Sequence, residues 1–258
     1  GCLDTVEVVR HGVDRVEFRR RNLVAEHEMP WSFPNVQPLD QGSETDTGDY
    51  QQTLNRCLKD FGWTEKQKLQ GKLIDGRRHG IAVGCYLEGG GSGPRENVRM
   101  VLEGDGTISL YTGSSSVGQG VETVMAQIAA DALDMPMARI NRVQHGSTTT
   151  VKHGYGSYSS RSIVMGGSAI VQAAGFLKDA ICAAAAKRLQ CEPNEISIDG
   201  DNAVGRNGAS VALSALAVGG IAAEGTYSSN KRTYSYGAHA AHVAVDPGTG
   251  HVALVDYM

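Results

Sequence analysis

The stretch from His79 to Leu189 constrains the fold more than any other, because its apolar period switches between two and 3.6 along the chain. Apolar residues alternate in "GIAVGCYLEGG", and "NVRMVLE" and "TISLYTG" repeat that alternation on either side of Gly104-Asp105-Gly106, a strong hairpin signal. Val121, Val124, Met125, Ile128 and Ala132 then recur at helical spacing. "INRVQHG" returns to a short strand, and a long helical pattern runs from about Ser160 to Leu189. Strand, strand, helix, strand, helix predicts an α+β fold of two layers, a mixed sheet with helices on one face.

On either side the pattern is less regular. A helical pattern starts almost at once and is expected to end at Gly12, and Asp14 with Glu17 resembles a capping box ahead of "FRRRNLV". Residues 27–48 hold three prolines and many turn formers, which predicts an ordered crossing loop without regular structure. Helical spacing resumes from Tyr50 to Phe61 through Leu54 and Leu58, with Trp63 closing the same core. After Pro193 the pattern loosens, until two alternating strands flank Asp246-Pro247-Gly248-Thr249-Gly250. The expected division is a helical and loop lead-in over 1–78, a central subdomain over 79–200, and a partial second subdomain with a C-terminal hairpin over 201–258. Gly1 in place of methionine and the abrupt last strand at Met258 suggest an interior piece of something longer.

Composition removes several function classes. A net charge of −4 and the lack of a dense Lys/Arg stripe give no reason to expect nucleic acid, and "RHGVDRVEFRRRNL" reads as a solvated helix face. No apolar run is expected to reach the ~20 residues of a membrane span, and no secretion signal is visible. The five cysteines are scattered without C-x-x-C spacing, which supports neither a disulfide framework nor a zinc or iron–sulfur site and fits a reducing cytoplasm. Glycine is the outlier at 33 residues, concentrated in 84–120 and 146–175 without a repeat, which points to tight loops and close packing.

Two loops stand out. Gly118-Gln119-Gly120 immediately precedes the helix at Val121, whose free N–H groups and partial positive charge suit an anion. Alone, this motif reads first as a helix-entry turn. Gly154 and Gly156 precede Ser157, Tyr158, Ser159 and Ser160, then the start of the long helix near Arg161 and Ser162. Hydroxyls at a helix start suit a phosphate or a polar ring edge, although a serine N-cap explains them equally well. Each loop precedes a helix of the same layer, so both helix starts can open at one sheet edge. The small residues Gly166, Gly167, Ala169, Ala173, Ala174 and Gly175 predict a long helix buried against the sheet or a neighbouring helix.

The stretch "GSSSVGQGVETVMAQIAADAL", followed by "HGSTTTVKHGYGSYSSRSIVMGGSAIVQAA", resembles the molybdenum-cofactor-binding large subunit of the xanthine oxidase and aldehyde oxidoreductase family of molybdenum hydroxylases. "HGVDRVEFRRRNLV", "HGIAVGCYLEGGGSGP" and "AHVAVDPGTGHVALVDY" extend the resemblance over nearly the whole chain, and it is most specific between about 79 and 175. The resemblance implies that residues 79–200 form a molybdenum-cofactor-binding subdomain. It implies contacts to a molybdenum-pyranopterin, molybdopterin or its cytosine dinucleotide, from Gly118, Gln119 and Gly120 and from Gly156, Tyr158, Ser159, Ser160 and Arg161. The metal would be held mainly by the cofactor's own sulfur atoms, so no protein ligand set is expected. It further implies a cytoplasmic oxidoreductase that oxidises an aldehyde or N-heteroaromatic substrate with water as oxygen source. The other large-subunit segments and iron–sulfur and FAD subunits would complete it, with room for a homodimer of the complex. The family's catalytic glutamate would lie outside this chain, which implies an inactive isolated fragment. The alternative is a structural or assembly subunit that keeps the fold. A generic phosphate-binding domain is the third reading, but the chain has no G-x-x-x-x-G-K-[ST] loop and no G-x-G-x-x-G with an acid at the required distance.

Several residues invite other roles. His239 and His242 lie three apart in a predicted strand, on opposite faces, which disfavours a shared metal. His145 and His153 flank "GSTTTVK", close enough to the loops for a substrate contact. Glu122 sits where an acid suits the helix dipole. Cys182 and Cys191 read as core and helix-end residues.

Overall fold

A computed structural model describes residues 12–32 and 44–258. The chain divides into two compact units, Gly1–Glu88 with Tyr234–Met258, and Gly89–Thr233. These boundaries differ from the sequence division at 78/79 and 200/201, which rests on the change of apolar period at His79 and the looser pattern after Pro193. The helix expected before Gly12 lies outside the described residues.

In the first unit, helix α1 (Arg15–Asn22) begins where Asp14 accepts the N–H groups of Val16 and Glu17 at 2.9 and 3.0 Å. The reciprocal half of the expected box is replaced by a Glu17–Arg21 ion pair. The basic helix is not wholly solvated: Val16 is buried and Arg15 donates to the Ile81 carbonyl at 2.9 Å. The described parts of 27–48, residues 27–32 and 44–48, are more regular than expected. A single 3₁₀ turn covers Glu26–Glu28, and β1 (Trp31–Ser32) pairs antiparallel with β2 (Glu44–Thr45). Helix α2 (Tyr50–Phe61) is capped by Asp49 and turns at Gly62 into α3 (Trp63–Lys66). Leu54, Leu58, Phe61 and Trp63 form one core with Val16, Ile81, Val83 and Ala240, as the helical spacing predicts. That core lies against β3 (Leu73–Ile74), β4 (Arg77–Gly90), β12 (Thr233–Val245) and β13 (Val252–Tyr257), in the order β13-β12-β4-β3.

The second unit is the predicted two-layer arrangement. β5 (Glu96–Leu102) and β6 (Ile108–Thr112) form the hairpin around Gly104-Asp105-Gly106, with Met100 opposite Leu110. Helix α4 (Val121–Leu133) then crosses to β7 (Ile140–His145), which lies parallel to β6 with Thr112 opposite His145. The fourth strand, β11 (Ala222–Tyr227), pairs with β5 on the far edge. The sheet β11-β5-β6-β7 is therefore mixed, and β4, read from sequence as part of the same run, belongs to the other sheet.

Inward residues Val98, Met100, Leu102, Ile108 and Leu110 pack against Met125, Ala129 and Leu133 of α4. They also pack against Ala169, Ile170, Ala173, Leu177 and Ile181 of α5 (Ser168–Leu189), which continues a π-helical turn over Ser162–Gly167. Against the sequence expectation, residues 162–189 make one helix long and apolar enough to cross a membrane by length and composition. Its buried stripe instead lies in this core: Ala169 and Ala173 pack on β11 at Gly225, Gly166 and Gly167 face Met125 and Ile128 of α4, and Gly175, against expectation, is exposed. The region after Pro193, read as loose, forms β8 (Ile196–Asp199), β9 (Asn202–Gly205) and β10 (Ser210–Ala212) in a small antiparallel sheet, followed by helix α6 (Leu213–Ala217). Strands of three to four residues carry too few alternations to register in the sequence.

Candidate functional site

Because β6 and β7 run parallel and end side by side, the loops that follow them leave the sheet at the same edge. Sites in open α/β sheets favour such carboxyl ends. The first loop, 113–120, feeds α4; the second, 146–161, feeds the helix that starts at Ser162. They touch directly. Ser157 Oγ donates to the Ser115 carbonyl at 2.5 Å and lies 2.9 Å from Ser162 Oγ. Below this bond the backbones of Gly113 and Gly154 are so close that a β-carbon on either would overlap the other, and one on Gly113 would also strike the Glu96 carboxylate. Glycine is required here by close approach.

In the first loop, Val117, Gly118, Gln119 and Gly120 are exposed. The Gln119 side chain bends back over its own loop, accepting from the Val117 N–H at 2.7 Å and donating to the Ser115 carbonyl at 3.4 Å. Gly120, at φ 77°, is the N-cap of α4 and supplies no side-chain cap to the first-turn N–H groups. Glu122 in that turn is 2.9 Å from His145 Nε2, while His145 Nδ1 lies 3.5 Å from the Ser116 N–H. With Nδ1 as acceptor, the Nε2 proton belongs to the Glu122 contact. The Glu122 backbone N–H, and then His145, hold the Glu122 carboxyl below its usual range. The dipole reading of Glu122 omitted this bridge, which ties the end of β7 to the first loop.

In the second loop, Tyr158, Ser159 and Ser160 are exposed, and Gly156 is half-buried. Ser159 and Ser160 both adopt left-handed backbone conformations, φ 47° and 49°. For non-glycine residues this costs about 1–2 kcal/mol each and persists only where the surroundings enforce it. Arg161 is in the interior instead, 0% exposed. It is ion-paired with Glu96, also 0% exposed. Its guanidinium also donates to the carbonyls of Ser92 (2.8 Å), Arg95 (2.7 Å) and Gly156 (3.2 Å), and the rings of Tyr155 and Tyr158 lie 5.5 Å away. Burial pushes the Glu96 carboxyl up, and Arg161 opposes that shift. Gly118, Gln119, Gly120, Tyr158, Ser159 and Ser160 are thus exposed on two joined loops, while Arg161 is beneath them. The sequence reading passed over Glu96, yet its alternation with Val98, Met100 and Leu102 places it on the inward face of β5.

Of the other candidates, His145 is engaged with Glu122. His239 Nδ1 lies 2.8 Å from Tyr257 Oη, between the stacked rings of Tyr86 and Tyr257. His242 is buried with Nε2 2.7 Å from His79 Nδ1, a partner on another strand. Among the described residues no three His, Cys, Asp or Glu side chains gather to hold a metal ion. The donors present are instead backbone N–H groups, an amide and hydroxyls, a set that fits a polar, phosphate-bearing organic cofactor rather than a bare metal ion.

Comparison with known proteins agrees with this chemistry. Residues 56–258 match the family model described as a molybdopterin cofactor-binding domain. The chain is 31% identical over 254 residues to the 6-hydroxypseudooxynicotine dehydrogenase complex subunit gamma of Paenarthrobacter nicotinovorans, covering 93% of this chain and 32% of that protein. It is 24% identical over 270 residues to the nicotine 6-hydroxylase large subunit of the same organism, covering 94% and 32%. The crystal structure of quinoline 2-oxidoreductase from Pseudomonas putida 86 shares the fold with a TM-score of 0.80 at 24% identity, covering 99% of this chain and 35% of that one. The chain thus spans about a third of the length of the curated relatives it matches. It belongs to the molybdopterin cofactor-binding domain family of the molybdenum hydroxylases.

Proposed function

We propose that the joined loops 114–120 and 154–162 form part of the pterin site of a molybdenum-dependent oxidoreductase. The observation that carries this reading is the Ser157–Ser115 hydrogen bond, which holds two donor-bearing helix starts together at one sheet edge. On this reading the backbone N–H groups at Gly118 and Gly120 and in the first turn of α4 bind polar edges of the pterin, while the Gln119 amide, bent back onto Val117 and Ser115, holds the loop in shape and lies against the same ligand. Tyr158, Ser159 and Ser160 line the pterin and its phosphate or cytosine dinucleotide extension, and Gly156 lets the chain pass close to it. Arg161 supports these residues from below. When bound, the cofactor supplies the redox-active metal at which substrate is oxidised.

The substrate is a small aldehyde or N-heteroaromatic molecule, with water as oxygen source. The names of the nicotine- and quinoline-oxidising relatives favour the N-heteroaromatic class. The remaining large-subunit segments complete the pocket, and iron–sulfur and FAD partners in the cytoplasm carry the electrons away. The test is elemental molybdenum and released pterin fluorescence on the native complex that contains this chain. Near-stoichiometric molybdenum and pterin, reduced by Gln119→Ala, is the expected result. A folded complex with neither would refute the reading and favour an assembly subunit.

A further inference from the structure

Arg161 and Glu96 are the one pair of opposite charges that the site buries completely, both at 0% exposure, and neither faces the surface where a ligand would sit. Their connections reach three backbone segments around it. Through Ser92 and Arg95 the guanidinium holds the entry to β5; through Gly156 it holds the second loop; through Glu96 it stands next to Gly113, where the first loop begins. Gly93 is part of the same assembly, since a β-carbon there would come within 3.0 Å of Tyr158 Oη and 3.1 Å of Arg161 Nε. The two left-handed serines immediately precede Arg161, so two residues in a costly backbone conformation are anchored by a side chain with several hydrogen bonds.

We propose that the Arg161–Glu96 pair is a positioning element that sets the spacing of the two loops, so that both can engage one pterin. The inference rests on the function proposed above. A guanidinium suits the task because its planar fork fixes several acceptors in one geometry, which an ammonium cannot reproduce. The pair acts on the first loop by two routes, the Gly113–Gly154 contact, which leaves no slack, and the Ser157–Ser115 bond next to the Gly156 carbonyl that Arg161 holds.

The test uses the native complex with Glu96→Gln and Arg161→Lys, and with Ser157→Ala as a milder variant that cuts the link between the loops and leaves the ion pair intact. The readouts are amide hydrogen exchange by segment, the rate of pterin loss on dialysis, and the electron paramagnetic resonance line shape of the reduced metal. Glu96→Gln is expected to speed exchange at least tenfold in both 113–120 and 154–160, with little change in 177–186, and to speed pterin loss at least tenfold with an altered line shape. Arg161→Lys keeps the charge but not the fork, and is expected to fail to rescue. Ser157→Ala is expected to speed exchange in 114–120 alone, with a smaller effect on pterin loss. Unchanged exchange in 113–120, or unchanged pterin loss and line shape in a folded Glu96→Gln complex, would overturn the positioning role. If both ion-pair variants fail to fold, Ser157→Ala decides, and unchanged exchange in 114–120 overturns it. Wild-type complex without pterin would instead overturn the underlying function, while the exchange data would still show whether the pair couples the loops.

Discussion

Replacing Gly113 by alanine sets a methyl carbon against two groups with no room to retreat. The added carbon overlaps the Glu96 carboxylate and the Gly154 backbone, and both Glu96 and its partner Arg161 are fully buried. Overpacking a closed interior costs about 1–3 kcal/mol, and disrupting a buried ion pair about 3–5 kcal/mol. The two effects share one relaxation and do not add, so the expected loss is about 2–4 kcal/mol. At roughly 2–4 °C per kcal/mol for a unit of this size, melting falls by about 5–15 °C. Gly175→Ala is the opposing control. Gly175 is exposed inside α5 with nothing within 4 Å of its added carbon, so alanine is expected to stabilise by about 0.5–1 kcal/mol through helix propensity. Denaturant unfolding followed by far-ultraviolet circular dichroism, with hydrogen exchange in β5 and β6 to locate the effect, measures both. Stability of Gly113→Ala within 0.5 kcal/mol of wild type would refute the close-packed junction.

Leu177→Ala empties a fully buried position between α5 and the sheet and is expected to cost about 2–5 kcal/mol in the same unfolding assay, with a near-zero effect contradicting the core assignment. Asp14→Ala removes the acceptor for the Val16 and Glu17 N–H groups and is expected to cost about 1 kcal/mol, read as faster hydrogen exchange in α1. Burial, then His79 and Lys66, keep the His242 imidazole below its usual range. The unfolded chain therefore takes up that proton first, and the stability this gives is complete above about pH 6.5 and is lost as pH falls toward the folded titration. His242→Gln is expected to flatten that acid slope; an unchanged slope would assign it to another group.

Where the sequence was legible, long periodic segments were the reason. The helix after Gly120 and the β5–β6 hairpin are found where the 3.6 and two-residue periods place them, because each carries several repeats of its period. Both loops were visible from their glycines and hydroxyls, but not the contact between them, because a parallel neighbour such as β7 beside β6 is a long-range pairing with no local signature. Arg161 shows the limit most plainly. Within "SYSSRSIV" it looks like one more donor on a polar loop, and only the fold reveals that its partner Glu96 lies 65 positions away in β5. The assignment of 196–227 failed for a different reason: β8, β9 and β10 are too short for periodicity, and β11 is recruited to the sheet by pairing with β5.

On the proposed function one cofactor engages both loops at the shared end of β6 and β7. Hydrogen exchange on the native complex, compared before and after extraction of its pterin, reads that engagement segment by segment. Protection in the loaded complex is expected to be concentrated in 117–123 and 156–162, with the core amides of α5 and β5 unchanged. Protection that bypasses both segments while appearing elsewhere in the chain would contradict it.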